Sequence, residues 1–196
     1  MPYRSAIVIA LLLMLPPLCG SSALGDESKE MKPGSTPMKP MEFERLELTS
    51  PVFENGKTIP ILFTCDGVDA SPPLNWDRVP EGTRSFALFC DDPDAPHGNW
   101  VHWVIFNIPP DSTSLPQGLP RVEILPDSTR QGLTDFKVPG YGGPCPPSGI
   151  HRYFFLLYAL DTVLEFEKTP HKPDVEKAAQ GHVIGKGLLM GTYTRE

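Results

Sequence analysis

Three apolar runs constrain this chain more than anything else in it: "SFALFC" (85–90), "VHWVIFNI" (101–108) and "YFFLLYAL" (153–160). All three carry the β-branched and aromatic residues that suit strands. A strand points successive side chains to opposite faces, so a run apolar throughout must be covered on both. The chain therefore builds a central sheet with a second layer packed on it. "LLMGTYTR" (188–195) reads as a last strand, and "FERLELTS" (43–50) alternates imperfectly, as a first one. Gly, Pro, Asn and Asp clusters between the runs supply turn chemistry. The 24 prolines are spread along the chain, which argues for many turns and against a low-complexity block. Helical signal is sparse. "KPDVEKAAQGHVIGKG" (172–187) is the best case, with Pro173 in a first turn, Asp174 and Glu176 near its N-terminal end, and Gly181 placed to stop it. The expectation is a mostly β domain over 42–196, with a few short helices near its C-terminus.

The first residues follow a different logic. Met1–Arg4 carries a positive charge, 6–15 ("AIVIALLLML") is unbroken apolar sequence, and small residues follow in "CGSSALG". This is the layout of a secretory signal peptide over 1–23, cleaved after Ala23, and it predicts a periplasmic or secreted protein. A span of ten apolar residues is short for a membrane helix. The alternative is a lipoprotein anchored through Cys19, although Pro16, Pro17 and Leu18 fit poorly before a lipidated cysteine. Residues 24–41 are polar and proline-punctuated, as a flexible tether would be. Met31, Met38 and Met41 lie in that tether, where no held geometry for a soft metal is expected. A net charge of -7 and the lack of any Lys/Arg run argue against a nucleic-acid partner.

Setting Cys19 aside leaves Cys65, Cys90 and Cys145, an odd number. Cys90 sits in a strand run and reads as a small buried hydrophobe. Cys65 and Cys145 lie in loops; a disulfide between them and two free thiols both stay open. No spacing suggests a metal site.

Three polar stretches abut the strand runs. "DDPDAPHGNWVHW" (91–103) is a stiff, carboxylate-bearing approach, because proline fixes its own φ and keeps its predecessor out of the helical region. It delivers Trp100, His102 and Trp103 to a strand. "GYGGPCPPSGIHRY" (140–153) alternates freedom at Gly140, Gly142 and Gly143 with stiffness at Pro144, Pro146 and Pro147. Strand alternation then puts His151, Tyr153, Phe155 and Leu157 on one face. A polar rim above an apolar floor is the usual make-up of a small-ligand pocket. "FTCDGVDASPPLNW" (63–76) is again acidic and proline-rich before a tryptophan. Each histidine alone is most simply a structural hydrogen-bonder. Two of them at strand entrances, both behind rigid approaches, favour a site in which donors are held in place. "GHVIGKG" (181–187) lacks the spacing of a phosphate loop and reads as a helix end and turn.

These stretches together resemble the phosphatidylethanolamine-binding protein family, also called the Raf kinase inhibitor protein family. The resemblance rests on "DDPDAP…NWVHW" and "GYGGPCPPSGIHRYFFLLYAL", with "TCDG…SPPLNW" and "GTYTR" matching the bacterial and archaeal branch. It implies a large antiparallel sheet packed against a smaller one, and a cavity near strand ends that takes small anions such as phosphate or phosphorylethanolamine. By position it implies ligand-binding roles for Asp92, Trp100, His102, Gly143, Pro144, His151 and Tyr153, with the loop 141–147 as rim and Asp94 bracing the turn. Val101 stands where mammalian members carry a further histidine, so the mammalian kinase-docking surface is not carried over.

The function this suggests is non-catalytic binding of a small anion or phospholipid head group, with His102 and His151 donating to its oxygens and Asp92 orienting a ring. Affinity is then expected to fall as pH rises through the histidine range, near 6.5. An alternative is inhibition of a protease or other envelope protein through the pocket rim. A hydrolase is disfavoured, since no G-x-S-x-G elbow is present. No cofactor is called for. The sequence leaves open both the protein target and whether the chain forms a homodimer.

Overall fold

The computed structural model describes residues 43–195. The signal and tether readings over 1–23 and 24–41 lie outside these residues. The three apolar runs become β4 (Ser85–Asp92), β5 (Trp100–Ile108) and β8 (Ile150–Leu160), with β9 (Val183–Thr194) beside β8. The other elements are β1 (Glu44–Arg45), β2 (Glu47–Thr49), β3 (Leu74–Asp77), β6 (Ser114–Leu115), β7 (Arg130–Gln131), the helix α1 (Lys172–Ala179) and a single 3-10 turn at Ile61–Phe63. A six-stranded sheet runs β1-β9-β8-β4-β5-β7 and a three-stranded sheet runs β2-β3-β6. The expected large and small sheets are both present. The large sheet is antiparallel except at one edge, where β1 pairs with β9 in parallel.

Double coverage of the central strands is met by two distinct cores. Phe86, Leu88, Cys90, Trp103, Tyr153, Phe155 and Leu157 face the small sheet, where Leu46, Leu48, Leu74 and Trp76 meet them. Ala87, Phe89, Val104 and Phe106 face the other way, beneath Val175 and Ala179 of α1 and Leu164. Burying each of these large side chains is worth roughly 1.5–3 kcal/mol.

The expected first strand is in fact two. Residues Glu44–Arg45 join the large sheet and Glu47–Thr49 the small one, pairing with β3. Leu46, 2% exposed, is the residue at which the chain changes layer. The last strand begins earlier than expected, so most of "GHVIGKG" is strand and not turn. Glycine hides this from propensity, but here it serves close approach. A Cβ on Gly185 would meet Pro80 at 2.6 Å, and one on Gly191 would meet Ile59 at 2.5 Å. The helix is the one expected from "KPDVEKAA". Gly181 ends it in the left-handed region, at φ +87. Among the described residues, helix content is thus one α-helix near the C-terminus, plus the 3-10 turn far from it.

Candidate functional site

The ends of β4, β5 and β8 meet at one place. Asp92 closes β4, and plain alternation puts it on the face of Phe86, Leu88 and Cys90. His151, the second residue of β8, lies on the same face as Tyr153 and Phe155. His102 reaches that face by a different route. The β4–β5 register steps from Cys90↔Trp103 to Asp91↔Val101, which leaves His102 as the extra residue of a β-bulge. The bulge lets Val101 point to the helix side while His102 and Trp103 both point to the other, a re-aiming typical of bulges beside sites.

These residues line a cavity of about 460 Å³ with Ala95, Pro96, His97, Trp100, Phe136, Cys145, Pro146 and Pro147. Its polar floor is buried, since Asp92, His102 and His151 are 3%, 3% and 6% exposed. Its mouth is aromatic. Phe136 packs edge-on against both Trp100 and His102, with centroids 5.6 and 5.3 Å apart. A larger groove of about 780 Å³ beside α1 is lined by Glu165–Pro170, Asp174 and Lys177, but no buried polar groups converge on it.

Hydrogen bonds fix both rings. His151 Nδ1–H donates to Asp92 Oδ2 at 2.7 Å, because an ionised carboxylate only accepts. His102 Nδ1–H donates to the Gly142 carbonyl at 2.6 Å. Gly142 returns the bond, its N–H donating to the His102 carbonyl at 2.8 Å. Both rings therefore keep Nε2 for a guest. Burial holds the His102 pKa below the ordinary histidine value, and the Gly142 carbonyl and the Asp92 charge oppose that shift without overcoming it. Tyr153 packs edge-on to His102 at 5.2 Å. Its phenol pKa is driven well above the usual range, first by burial and then by the Asp92 charge. Its hydroxyl is buried with no partner among the described residues.

Asp92, Trp100, His102 and His151 thus come together in one wall, with Tyr153 packed behind His102. Gly143 and Pro144 do not join the wall. The Gly143 N–H donates to Asp69 Oδ1 at 2.6 Å, and the Pro144 carbonyl accepts from the Cys65 N–H at 3.1 Å. Both residues are committed to the loop around 61–69, so Gly143 has no N–H left for an anion. Asp94 braces the turn as expected: its carboxylate takes two bonds from the Arg152 guanidinium, at 2.8 and 2.7 Å. That pairing lowers the Asp94 pKa to about 2.

One aromatic member of the wall escaped the sequence reading. Phe136 comes from a polar loop with no periodicity. Its only trace is Gly142, where a Cβ would meet the Phe136 ring at 2.5 Å. Cys145 lies in the rim as expected, and of the two readings left open for it the disulfide is the one found. Cys65 and Cys145 form a disulfide with Cα atoms 5.4 Å apart, and Cys90 is free and buried. Among the described residues, no group of three or more His, Cys, Asp or Glu side chains is arranged to hold a metal ion.

The family model described as Phosphatidylethanolamine-binding protein matches residues 49–194. A UPF0098 protein of Methanothermobacter thermautotrophicus is 55% identical over 150 residues, covering 76% of this chain and 99% of the relative. The solved structure of the PEBP homologue CT736 from Chlamydia trachomatis superposes with a TM-score of 0.71 at 38% identity, over 78% of this chain and 99% of that one. E. coli YbcL, described as a new member of the mammalian PEBP family, gives 0.72 at 33% identity, over 77% and 99%. A match across most of the domain, in sequence and in fold alike, means that this chain belongs to the phosphatidylethanolamine-binding protein family.

Proposed function

We propose that the cavity binds a small oxyanion, as inorganic anion or as the phosphate of a head group, and that the protein works as a non-catalytic ligand-binding module. One observation carries the reading: a carboxylate and two imidazoles from three strands converge, buried, on the floor of a single cavity. With each Nδ1–H already donated, a neutral ring offers only a lone pair at Nε2. Anion binding therefore goes with proton uptake, or with a proton carried in by the ligand, as monobasic phosphate does. Once charged, an imidazolium gives the short, strong bonds of a charged donor. Asp92 holds His151 and can accept from a ligand N–H or O–H.

Calorimetric titration of the full chain with phosphate and with phosphorylethanolamine tests this. Saturable binding lost in His151→Ala supports it; no heat with either ligand refutes it. Phosphomonoester turnover abolished by the same substitution would replace binding with catalysis. The exposed Trp100 and Phe136 at the mouth favour a second reading, a protein target docked on the rim. That reading requires the target to be displaced by phosphate.

A further inference from the structure

Cys145 belongs to two structures at once. It lines the cavity, and its sulfur is bonded to that of Cys65. The disulfide is accessible, with Cys145 exposed and Cys65 half-buried. It lies between two anchored segments. On one side Gly142 and His102 exchange two hydrogen bonds, 2.8 and 2.6 Å long, and the second, from the ring, holds His102 in its tautomer. On the other side the Cys65 N–H donates to the Pro144 carbonyl, and the Gly143 N–H to Asp69. Only two residues separate Gly142 from Cys145, and Pro144 between them limits how that short link can bend.

We propose that Cys145 is a thiol-exchange site for a dithiol reductant, and that opening the disulfide weakens anion binding in the adjoining cavity. The inference rests on the anion reading of that cavity. A reductant thiolate attacks the Sγ of Cys145; the Cys65–Cys145 bond breaks and Cys65 leaves as a thiolate, which takes up a proton. The reductant's second thiolate then attacks its own sulfur in the mixed disulfide and releases Cys145. The reductant ends as a disulfide and the protein as two thiols, with two electrons and two protons transferred. Cys145 is then free to rotate in the cavity wall. The rim loop loses its covalent stop, and the Gly142 carbonyl loses its fixed position on His102. Linkage makes the effect reciprocal: an anion that prefers the oxidised form also makes that form harder to reduce.

The test uses the full chain and inorganic phosphate. Phosphate affinity is measured by calorimetry for the oxidised protein, the reduced protein and a Cys65→Ser/Cys145→Ser variant. Separately, the protein is equilibrated in glutathione buffers of graded potential with and without saturating phosphate, and free thiols at 65 and 145 are scored by alkylation and peptide mass spectrometry. Affinity at least tenfold weaker after reduction is expected, with phosphate moving the midpoint at least 30 mV more negative, the shift that corresponds to tenfold for a two-electron couple. Equal affinity in both redox states, or a midpoint indifferent to phosphate, overturns the coupling and leaves anion binding standing. An oxidised protein that binds no phosphate overturns both. The glutathione titration needs no variant, so misfolding of the double serine form cannot rescue the idea. Should thiol exchange occur first at Cys65, with Cys145 as leaving group, the assignment of the attacked sulfur is wrong.

Discussion

His151 donates from Nδ1 to a carboxylate oxygen of Asp92 59 positions earlier in the chain, at 2.7 Å, with the two side chains 8% and 5% exposed. So buried a pair is costly to break from one side. Asp92→Ala strands the ring and should destabilise by about 3 kcal/mol, a figure typical of one-sided removal of a buried partner. Asp92→Asn keeps the shape and one acceptor but drops the charge that favours an imidazolium. It should weaken sulfate binding at pH 6 at least tenfold. Tighter sulfate binding by the asparagine form, measured calorimetrically, would mean that Asp92 merely repels the guest.

A second expectation concerns pH. Burial depresses the His102 pKa below its unfolded value of about 6.5. Its neutral form is therefore the one the fold tolerates. The stability it contributes is present above pH 6.5 and is lost as pH falls toward the lower folded pKa. Anion binding has the opposite sign, since it needs the proton. Sulfate is the right probe, because its charge is constant from pH 5 to 8. Sulfate affinity should rise as pH falls below 6.5 while the melting temperature without ligand falls. His102→Asn should flatten the stability trend across that window. A sulfate affinity level from pH 5 to 8 would remove the histidines from the binding role.

The wall at Phe136 makes a third test. A methyl group at Gly142 has no room unless the Phe136 ring moves. Gly142→Ala should cost about 1–3 kcal/mol, as overpacking does. Phe136→Leu in the same chain should recover part of it. Denaturant midpoints of the two single variants and the double variant show whether the losses fail to add.

On the opposite face, Lys172 pairs with Asp91 and, at 3.3 Å, with Glu176, its ammonium 5.4 Å from the Phe89 ring centre. Lys172 and Asp91 side chains are 11% and 8% exposed. Lys172→Met should cost about 3–5 kcal/mol by leaving Asp91 charged and alone. Asp91→Leu combined with Lys172→Met should restore most of that loss. A double variant less stable than either single one would show that the pair itself, and not its one-sided disruption, matters.

The strands that carry the site were legible for a physical reason. A strand covered on both faces has no polar alternation to confuse it, so 85–90, 101–108 and 153–160 stood out. His102 and His151 were legible because proline-rich approaches deliver each of them to such a run, whereas Asp92, at the far end of the first run, was named through the family resemblance. What was hidden depends on contacts across the chain. The bulge at His102 has no local signature, and Phe136 matters only through Trp100, His102 and Gly142, none of them its neighbour in the chain. The first half of β9 was hidden because Gly185 and Gly187 suggest a turn until Leu46 and Leu48 are seen to press on them. Gly143 misled in the opposite direction: its freedom serves an approach to Phe63, Thr64 and Asp69 and not a guest.

Leu46 is the point at which a single extended segment passes from one layer to the other. Two sheets held only by greasy contact can slide, because such contact has no direction. Here one stretch of backbone is knitted into both, so sliding would have to tear ladder bonds at β1 or at β2. Tension reaching the domain through residues before Phe43 would therefore load both layers as a seam loads two sheets of cloth, and mechanical unfolding from that end should begin by unpicking β1 from β9.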